Sequence, residues 1–484
     1  AIDPGSKIDM AQHVDIGLDH LKSIISPQRI TVLKSRRVDQ RHGRFVLYWM
    51  QQSQRAAHNH ALEHAIELAN HLKQPLQVVF GLTTDYPEAN LRHFTFMLQG
   101  LRETQAALAG RNIAMAVHLG DPAQVALNEG RDASIIVCDR GYLRHQAAWR
   151  KRVAEAAKAL VIQVESDAVV PVAVASGKAE YAARTIRPKI KRHIDICSQL
   201  PPELSVVKAV PTDLPPGEDL DDFDALLAKL NVDASVTPVV PFFKGGTSEA
   251  VTRFERFIQQ HLTHYDAHAN QPQTDDVSGM SPYLHFGQIS PLYMAHRIGQ
   301  VSPKRAGQAN IDAFLEELIV RRELAINFVC YRDDYDRYAV IPNWARKSLA
   351  EHAGDKRDPC YTLAQLEKAQ THDDYWNAAM LEMVHTGFMH NYMRMYWGKK
   401  IIEWSPSPQE AFKRTLHLNN KYFLDGRDPN SYTSVAWLYG VHDRGWPERP
   451  IFGKVRYMAA SGLERKCDIK AYVRKIKDRI RHSS

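Results

Sequence analysis

Five of the eight tryptophans of this chain fall between Trp376 and Trp446. Among them runs Asn419-Asn420-Lys421-Tyr422-Phe423-Leu424-Asp425-Gly426-Arg427-Asp428-Pro429-Asn430, and a second polar run, Gly440-Val441-His442-Asp443-Arg444-Gly445-Trp446, follows. Indoles are readily oxidised and pass electrons, while Asn, Asp and Arg hold and tune a polar ring system, so the combination points to a buried redox cofactor. Trp397 and Trp404 stand seven residues apart, on one face of a helix, and Trp376 opens the same helical stretch. Aromatic packing is the plainer account of such a pair. The run Asp425 to Asn430 could be a polar turn, but a turn merely in solvent does not carry so many large aromatic and charged groups around it.

Other segments carry weaker signals. Ser278-Gly279-Met280-Ser281-Pro282 sets two hydroxyls and several backbone N–H groups ahead of a helical pattern, where phosphate is readily held; an N-cap serine without a ligand has the same look. Glu317 and Arg321 lie one α-helical turn apart, which reads first as an i,i+4 ion pair. A basic run spans Arg184 to Arg192, and a second closes the chain, with ten Lys/Arg against three acids from Lys454 onward. That surplus equals the whole formal net charge of +7. Charge runs are most often solvated faces, and nucleic-acid phosphate is the functional alternative.

The elements that must position these residues are of two kinds. Strand-length apolar runs at Phe45–Trp49, Leu76–Leu82, Ile113–Leu119, Ala133–Cys138 and Val161–Val164 alternate with helical patterns, which predicts a doubly wound, Rossmann-like α/β domain with five parallel strands. No GxGxxG follows the first strand and no Walker A pattern occurs, so a dinucleotide held in the usual manner is disfavoured. A Pro-rich connection follows, and beyond Thr247 the periodicity is helical throughout, including single helices over Asn310–Tyr331 and Tyr375–Glu403. The division is an N-terminal extension over 1–41, expected to be partly disordered or foreign to the native chain, an α/β domain over 42–172, a linker over 173–246 and an all-α domain over 247–484.

At 484 residues with 44% hydrophobic content, the chain can build more than one core. Its five cysteines form no CxxC pair and have no histidine at zinc spacing, so no metal site is expected. Without a leader pattern or a long apolar segment, the expectation is a monomeric, intracellular protein, cytoplasmic if prokaryotic, with no membrane partner.

Taken together, these segments resemble the class II cyclobutane pyrimidine dimer photolyases, flavoproteins of the photolyase/cryptochrome family. The resemblance runs over about residues 43 to 474. It rests on Ser281-Pro-Tyr-Leu-His-Phe-Gly-Gln-Ile-Ser290, Glu317-Leu-Ile-Val-Arg-Arg-Glu-Leu324 with Asn327-Phe328, Thr386-Gly-Phe-Met-His390 with Tyr392-Met-Arg-Met-Tyr-Trp397, Leu424-Asp-Gly-Arg-Asp-Pro-Asn430 and Gly440-Val-His-Asp443. Ser53-Gln54-Arg55 with Asn59 is similar to the family's opening turn.

The resemblance implies an α/β antenna-type domain joined by a long linker to a helical FAD-binding domain. It implies a carbon–carbon lyase, deoxyribodipyrimidine photo-lyase, that flips a dimer out of UV-damaged double-stranded DNA and splits it with an electron from light-excited, fully reduced FAD. A deazaflavin is the plausible second, antenna chromophore. Tyr265, Ser278, Gly279, Met280, Ser281, Arg394, Asn419, Asp425 and Asn430 would bind the cofactor, with Asn419 at flavin N5 and Arg394 paired to Asp425. Glu317, Asn419 and Trp437 would be catalytic, and Trp376, Trp397 and Trp404 would form the electron chain. Glu317, Arg321, Met395, Trp437, Arg444, Trp446, Lys454 and Arg456 would meet the lesion and DNA. Three positions depart from the family pattern: Ala269 where relatives commonly have Arg, Arg321 where some have Trp, and one residue fewer before Val441. A cryptochrome-like blue-light receptor without repair is the alternative; Glu317 and Trp437 speak for repair.

Overall fold

The computed structural model describes residues 23–38, 43–208 and 217–481. Five parallel strands, β2 (Phe45–Trp49), β3 (Leu76–Leu82), β4 (Ala114–Leu119), β5 (Ala133–Asp139) and β6 (Leu160–Val164), form the expected sheet. A sixth strand, β1 (Ile30–Lys34), lies antiparallel along β6, giving the order β1-β6-β5-β2-β3-β4. This corrects the five-stranded expectation and gives part of the expected N-terminal extension a place in the sheet; residues 1–22 and 39–41 of that extension lie outside the described residues. The cause is tertiary. Arg29, fully buried just before β1, donates to the carbonyls of Glu165, Ala168, Val169 and Cys197 at 2.6–2.9 Å and so anchors the segment to the sheet's edge.

The inner strands β3, β5 and β6 are buried along their whole length and mostly apolar, because helices cover both faces. From β2 the chain winds outward to β4 and returns to β5 on the other side of β2, so the topological switch point lies at the ends of β2 and β5. There Asp139 accepts the backbone N–H groups of Gln51, Gln52 and Ser53 at 2.9–3.1 Å. Amides that could have held a phosphate are satisfied by a carboxylate, which agrees with the missing phosphate-loop pattern.

The connection expected over 173–246 contains helices Ala183–Cys197 and Phe223–Leu230, and from Thr247 onward the described residues are helical and irregular. The predicted helix over Tyr375–Glu403 is two helices, Asp374–Thr386 and Asn391–Trp404. Gly387 ends the first in the left-handed region (φ 70°), and a Cβ there would fall 2.9 Å from Leu424 Cγ. The predicted Asn310–Tyr331 helix is interrupted by a π-helical turn over Glu316–Arg321. No described helix is long and apolar enough to cross a membrane.

The two halves are clamped together. Buried Arg92, in helix Leu91–Ala109, donates to the carbonyls of Thr237, Met383, Val384 and Tyr422, while His93 Nε2 bonds Phe423 O at 2.8 Å. Asn90 Nδ2 donates to Lys421 O at 2.8 Å. The α/β domain thereby holds the segment that runs from Asn419 to Arg427.

Candidate functional site

The three tryptophans form a chain whose order the sequence does not show. Trp376 comes from its own helix and lies between the other two: its Nε1 donates to Trp397 O at 2.9 Å, and its ring meets Trp404 edge-on with centroids 5.6 Å apart. All three are buried. Trp404 is flanked by partly exposed Tyr361 at 5.4 Å and by exposed His372. Tyr361, whose hydroxyl bonds His372 Nδ1 at 2.7 Å, carried no signal in the sequence.

At its other end the chain leads to charge. Trp397 meets Phe423 edge-on at 6.3 Å, and the Arg394 guanidinium lies 3.8 Å over the Phe423 ring. Arg394 in turn pairs with Asp425 at 3.2 Å and donates to Met389 O. Asn419 sits on the last turns of helix Pro408–Tyr422; its Nδ2 donates to Asn420 Oδ1, while no described donor reaches its Oδ1. Asn430 opens helix Pro429–Trp437 behind Asp428, which caps it.

A cavity of about 690 Å³ opens beside this cluster, lined by Arg253, Arg256, Ser278, Gly279, Thr386 and Phe388 among others. Thr386 and Phe388 belong to the helix break, and Gly387 O accepts from Leu424 N at 3.0 Å, so cavity and ion pair share one backbone junction. Ser278 accepts from Met280 N, Met280 is core, and Ser281 begins a five-residue helix; of the expected cofactor residues Tyr265, Ser278, Gly279, Met280 and Ser281, Ser278 and Gly279 line the cavity. Tyr265 packs against Phe257 and Phe314, close enough to Glu317 for that carboxylate to raise its hydroxyl further above the range set by burial. Sequence reasoning missed Arg253, stacked 4.4 Å from the Phe243 ring, whose buried Nε has no described partner.

Glu317 lies in the π turn. Crowding there raises its carboxyl above the usual range, with Arg321 opposing the shift. The expected i,i+4 pair does not form. Arg321 reaches Glu316 instead, at 3.5 Å, and Glu316 also binds Arg187 at 2.6 Å. Residues of the Arg184–Arg192 run are therefore partly engaged inside the protein, as Lys189 is with Glu180. His268, next to Ala269, is tied to Asp276 at 2.5 Å.

Trp437 ends helix Pro429–Trp437, which packs against helix Arg322–Tyr331 beyond the π turn. Arg456 lies between its indole, at 5.4 Å, and that of Trp446, at 4.2 Å, and is held by Asp443 through two bonds of 2.9 and 3.1 Å. Arg444 covers Trp446 at 5.1 Å, Met395 is half-buried nearby on the Trp397 helix, and Lys454 is exposed. The shortened stretch before Val441 closes on Gly440 (φ 106°), packed against Trp344.

A second, small cavity of about 60 Å³ lies at the switch point between the domains, lined by Gln51, Gln54, Tyr86, Trp149, His285 and Arg427 among others.

The profile of the DNA photolyase family matches residues 46–208. A deoxyribodipyrimidine photo-lyase of Methanothermobacter thermautotrophicus is 48% identical over 458 residues, covering 95% of this chain and 99% of the relative. That of Oryza sativa subsp. japonica is 42% identical over 89% of this chain and 87% of the relative, and that of Potorous tridactylus 40% over 89% and 81%. Among solved structures, a class III photolyase from Agrobacterium tumefaciens superposes with a TM-score of 0.71 at 17% identity over 90% of this chain and 86% of its own. A Synechocystis cryptochrome gives 0.67 at 14%, over 89% and 88%. These last two likenesses speak for the fold, and the long, close sequence relatives for the lineage: the chain belongs to the DNA photolyase family.

Proposed function

We propose that this protein is a deoxyribodipyrimidine photo-lyase of class II type, which repairs cyclobutane pyrimidine dimers in UV-damaged double-stranded DNA with FAD as its light-driven electron donor. The observation that carries the reading is the continuous path from Trp404 through Trp376, Trp397 and Phe423 to the Arg394–Asp425 pair. The path is packed into the core and ends at the charged pair beside which a flavin ring would be held.

The residues fit that cofactor. Arg253 offers an unsatisfied buried N–H beside Ser278 and Gly279, in a cavity that also holds Arg256, which suits a diphosphate. The unengaged Oδ1 of Asn419 suits the N5–H of a reduced flavin, and Arg394 with Asp425 suits its polar edge. When bound and reduced, FAD supplies the excited-state electron that splits the dimer and takes it back afterwards. Glu317 then donates a hydrogen bond to a pyrimidine carbonyl as negative charge develops there, Trp437 stacks on the flipped bases, and Met395 and Arg321 border the same opening. Arg444, Lys454, Arg456 and Trp446 meet the backbone around the bubble. The buried tryptophans return the cofactor to its reduced form. The small interdomain cavity, with Tyr86, Trp149 and the buried, unpaired Oε1 of Gln54, suits a planar antenna pigment such as a deazaflavin. The enzyme acts as an intracellular monomer.

Illumination of the reduced, FAD-loaded protein with dimer-containing duplex DNA tests the reading. Recovery of pyrimidine absorbance is expected, and its absence with the flavin fully reduced would remove repair in favour of light sensing.

A further inference from the structure

Lys399 is fully buried on helix Asn391–Trp404 and has no ion-pair partner among the described residues. Its Nζ donates to Leu438 O at 2.5 Å and stands 5.2 Å from the centre of the Trp437 indole. Leu438 follows directly on helix Pro429–Trp437, where the last carbonyls lack intrahelical donors and the dipole is negative. One ammonium therefore caps the helix, complements its dipole and faces the ring. Its neighbour makes the approach possible: a Cβ on Gly398 would fall 2.2 Å from Leu438 Cδ1.

Burial pulls the Lys399 ammonium down to about 7; Asp443 opposes this and Arg456 adds to it, and these two are the charged groups that face it. A methionine would fill the space without that desolvation, so the charge calls for a use. Arg456 also lies against the Trp437 ring, but its fork is engaged by Asp443. Lys399 is the cation that ties the backbone of the Trp437 helix end as well as the ring.

We propose that Lys399 is a positioning residue for lesion recognition, fixing the height and tilt of Trp437 by binding the end of its helix and setting a cation against its indole. The proposal rests on Trp437 being the stacking wall. The experiment is a double-mutant cycle on the FAD-loaded enzyme, measuring dissociation constants for dimer-containing and undamaged duplexes with Lys399→Met, Trp437→Ala and both together. Lys399→Met is expected to weaken dimer binding about tenfold, with undamaged DNA and flavin photoreduction unchanged, and to cause no further loss once Trp437 is alanine. Equal losses in both backgrounds, or none in either, would overturn it. A Trp437→Ala variant that binds dimers normally would instead overturn the role of Trp437. Lys399→Gln, which keeps a donor for Leu438 O without the cation, should recover part of the affinity. If both Lys399 variants lose flavin, the residue belongs to the cofactor scaffold and the proposal falls.

Discussion

The Arg321 guanidinium lies 3.5 Å from the carboxylate of Glu316, five positions back, and leaves Glu317 without an ion-pair partner among the described residues. An α-helical register would have joined Arg321 to Glu317. The π turn over Glu316–Arg321 shifts the pairing by one residue and frees the Glu317 carboxyl.

This freedom sets a pH dependence. Burial raises the Glu317 carboxyl and Arg321 lowers it, so the protonated, donating form persists above the ordinary carboxylate range. Repair yield should be highest at low pH and fall as Glu317 ionises. Arg321→Gln should move that inflection to higher pH, and Glu317→Gln, which keeps a donor, should flatten the profile. Quantum yield against pH decides, and an inflection that stays put in Glu317→Gln assigns the titration elsewhere.

Trp376 stands between Trp397 and Trp404, so Trp376→Phe should lower photoreduction of oxidised FAD at least about tenfold. Trp397→Phe should do the same. Repair by chemically reduced enzyme should remain in both. Losing the indole bond to Trp397 O and some packing should cost about 2 kcal/mol of stability, read by denaturant unfolding. Unchanged photoreduction would show that electrons reach the flavin another way.

Much of this architecture is legible in the sequence, for a physical reason in each case. The inner strands β2, β3, β5 and β6 are almost wholly buried and read as mostly apolar runs, whereas β1 is half-exposed and depends on distant carbonyls gathered by Arg29. Gly387 costs a helix only about 1 kcal/mol in propensity, so a break there is invisible until Leu424 is seen against it. The tryptophans announce themselves by type, but their order depends on how two helices cross. Lys399 reads as a solvated lysine because nothing local reports that its side chain points inward.

Glu323 is fully buried against the N–H groups of Val169 and Val170, and burial raises its carboxyl from 4.5 to about 8. The folded protein thus keeps a proton that the unfolded chain has lost, and stability falls as pH rises between those values. Glu323→Gln, which still accepts the N–H groups, should remove that slope. Its thermal midpoint should gain on the parent protein from about pH 5 to about pH 8, and parallel curves would assign the slope to another group.

DNA affinity should depend on salt through cations that are free to meet phosphate. Lys454 is exposed with no ion-pair partner among the described residues, whereas Arg456 is held by Asp443. Lys454→Gln should reduce the log–log salt slope by about 1, and Arg456→Gln by less, in titrations with undamaged duplex. The reverse order would mean that Asp443 releases Arg456 on binding.

The clamp of Arg92 and His93 onto the carbonyls of Met383, Tyr422 and Phe423 has an optical consequence. Resonance transfer between two chromophores falls steeply with separation and depends on the orientation of their transition dipoles. A pigment seated against Arg427 and a flavin seated against Asp425 would be carried by one rigid stretch of backbone, two residues apart, so thermal motion could not scramble their mutual angle. Any light harvesting between them would then be governed by fixed geometry, kept by the bonds that Asn90, Arg92 and His93 make to that backbone.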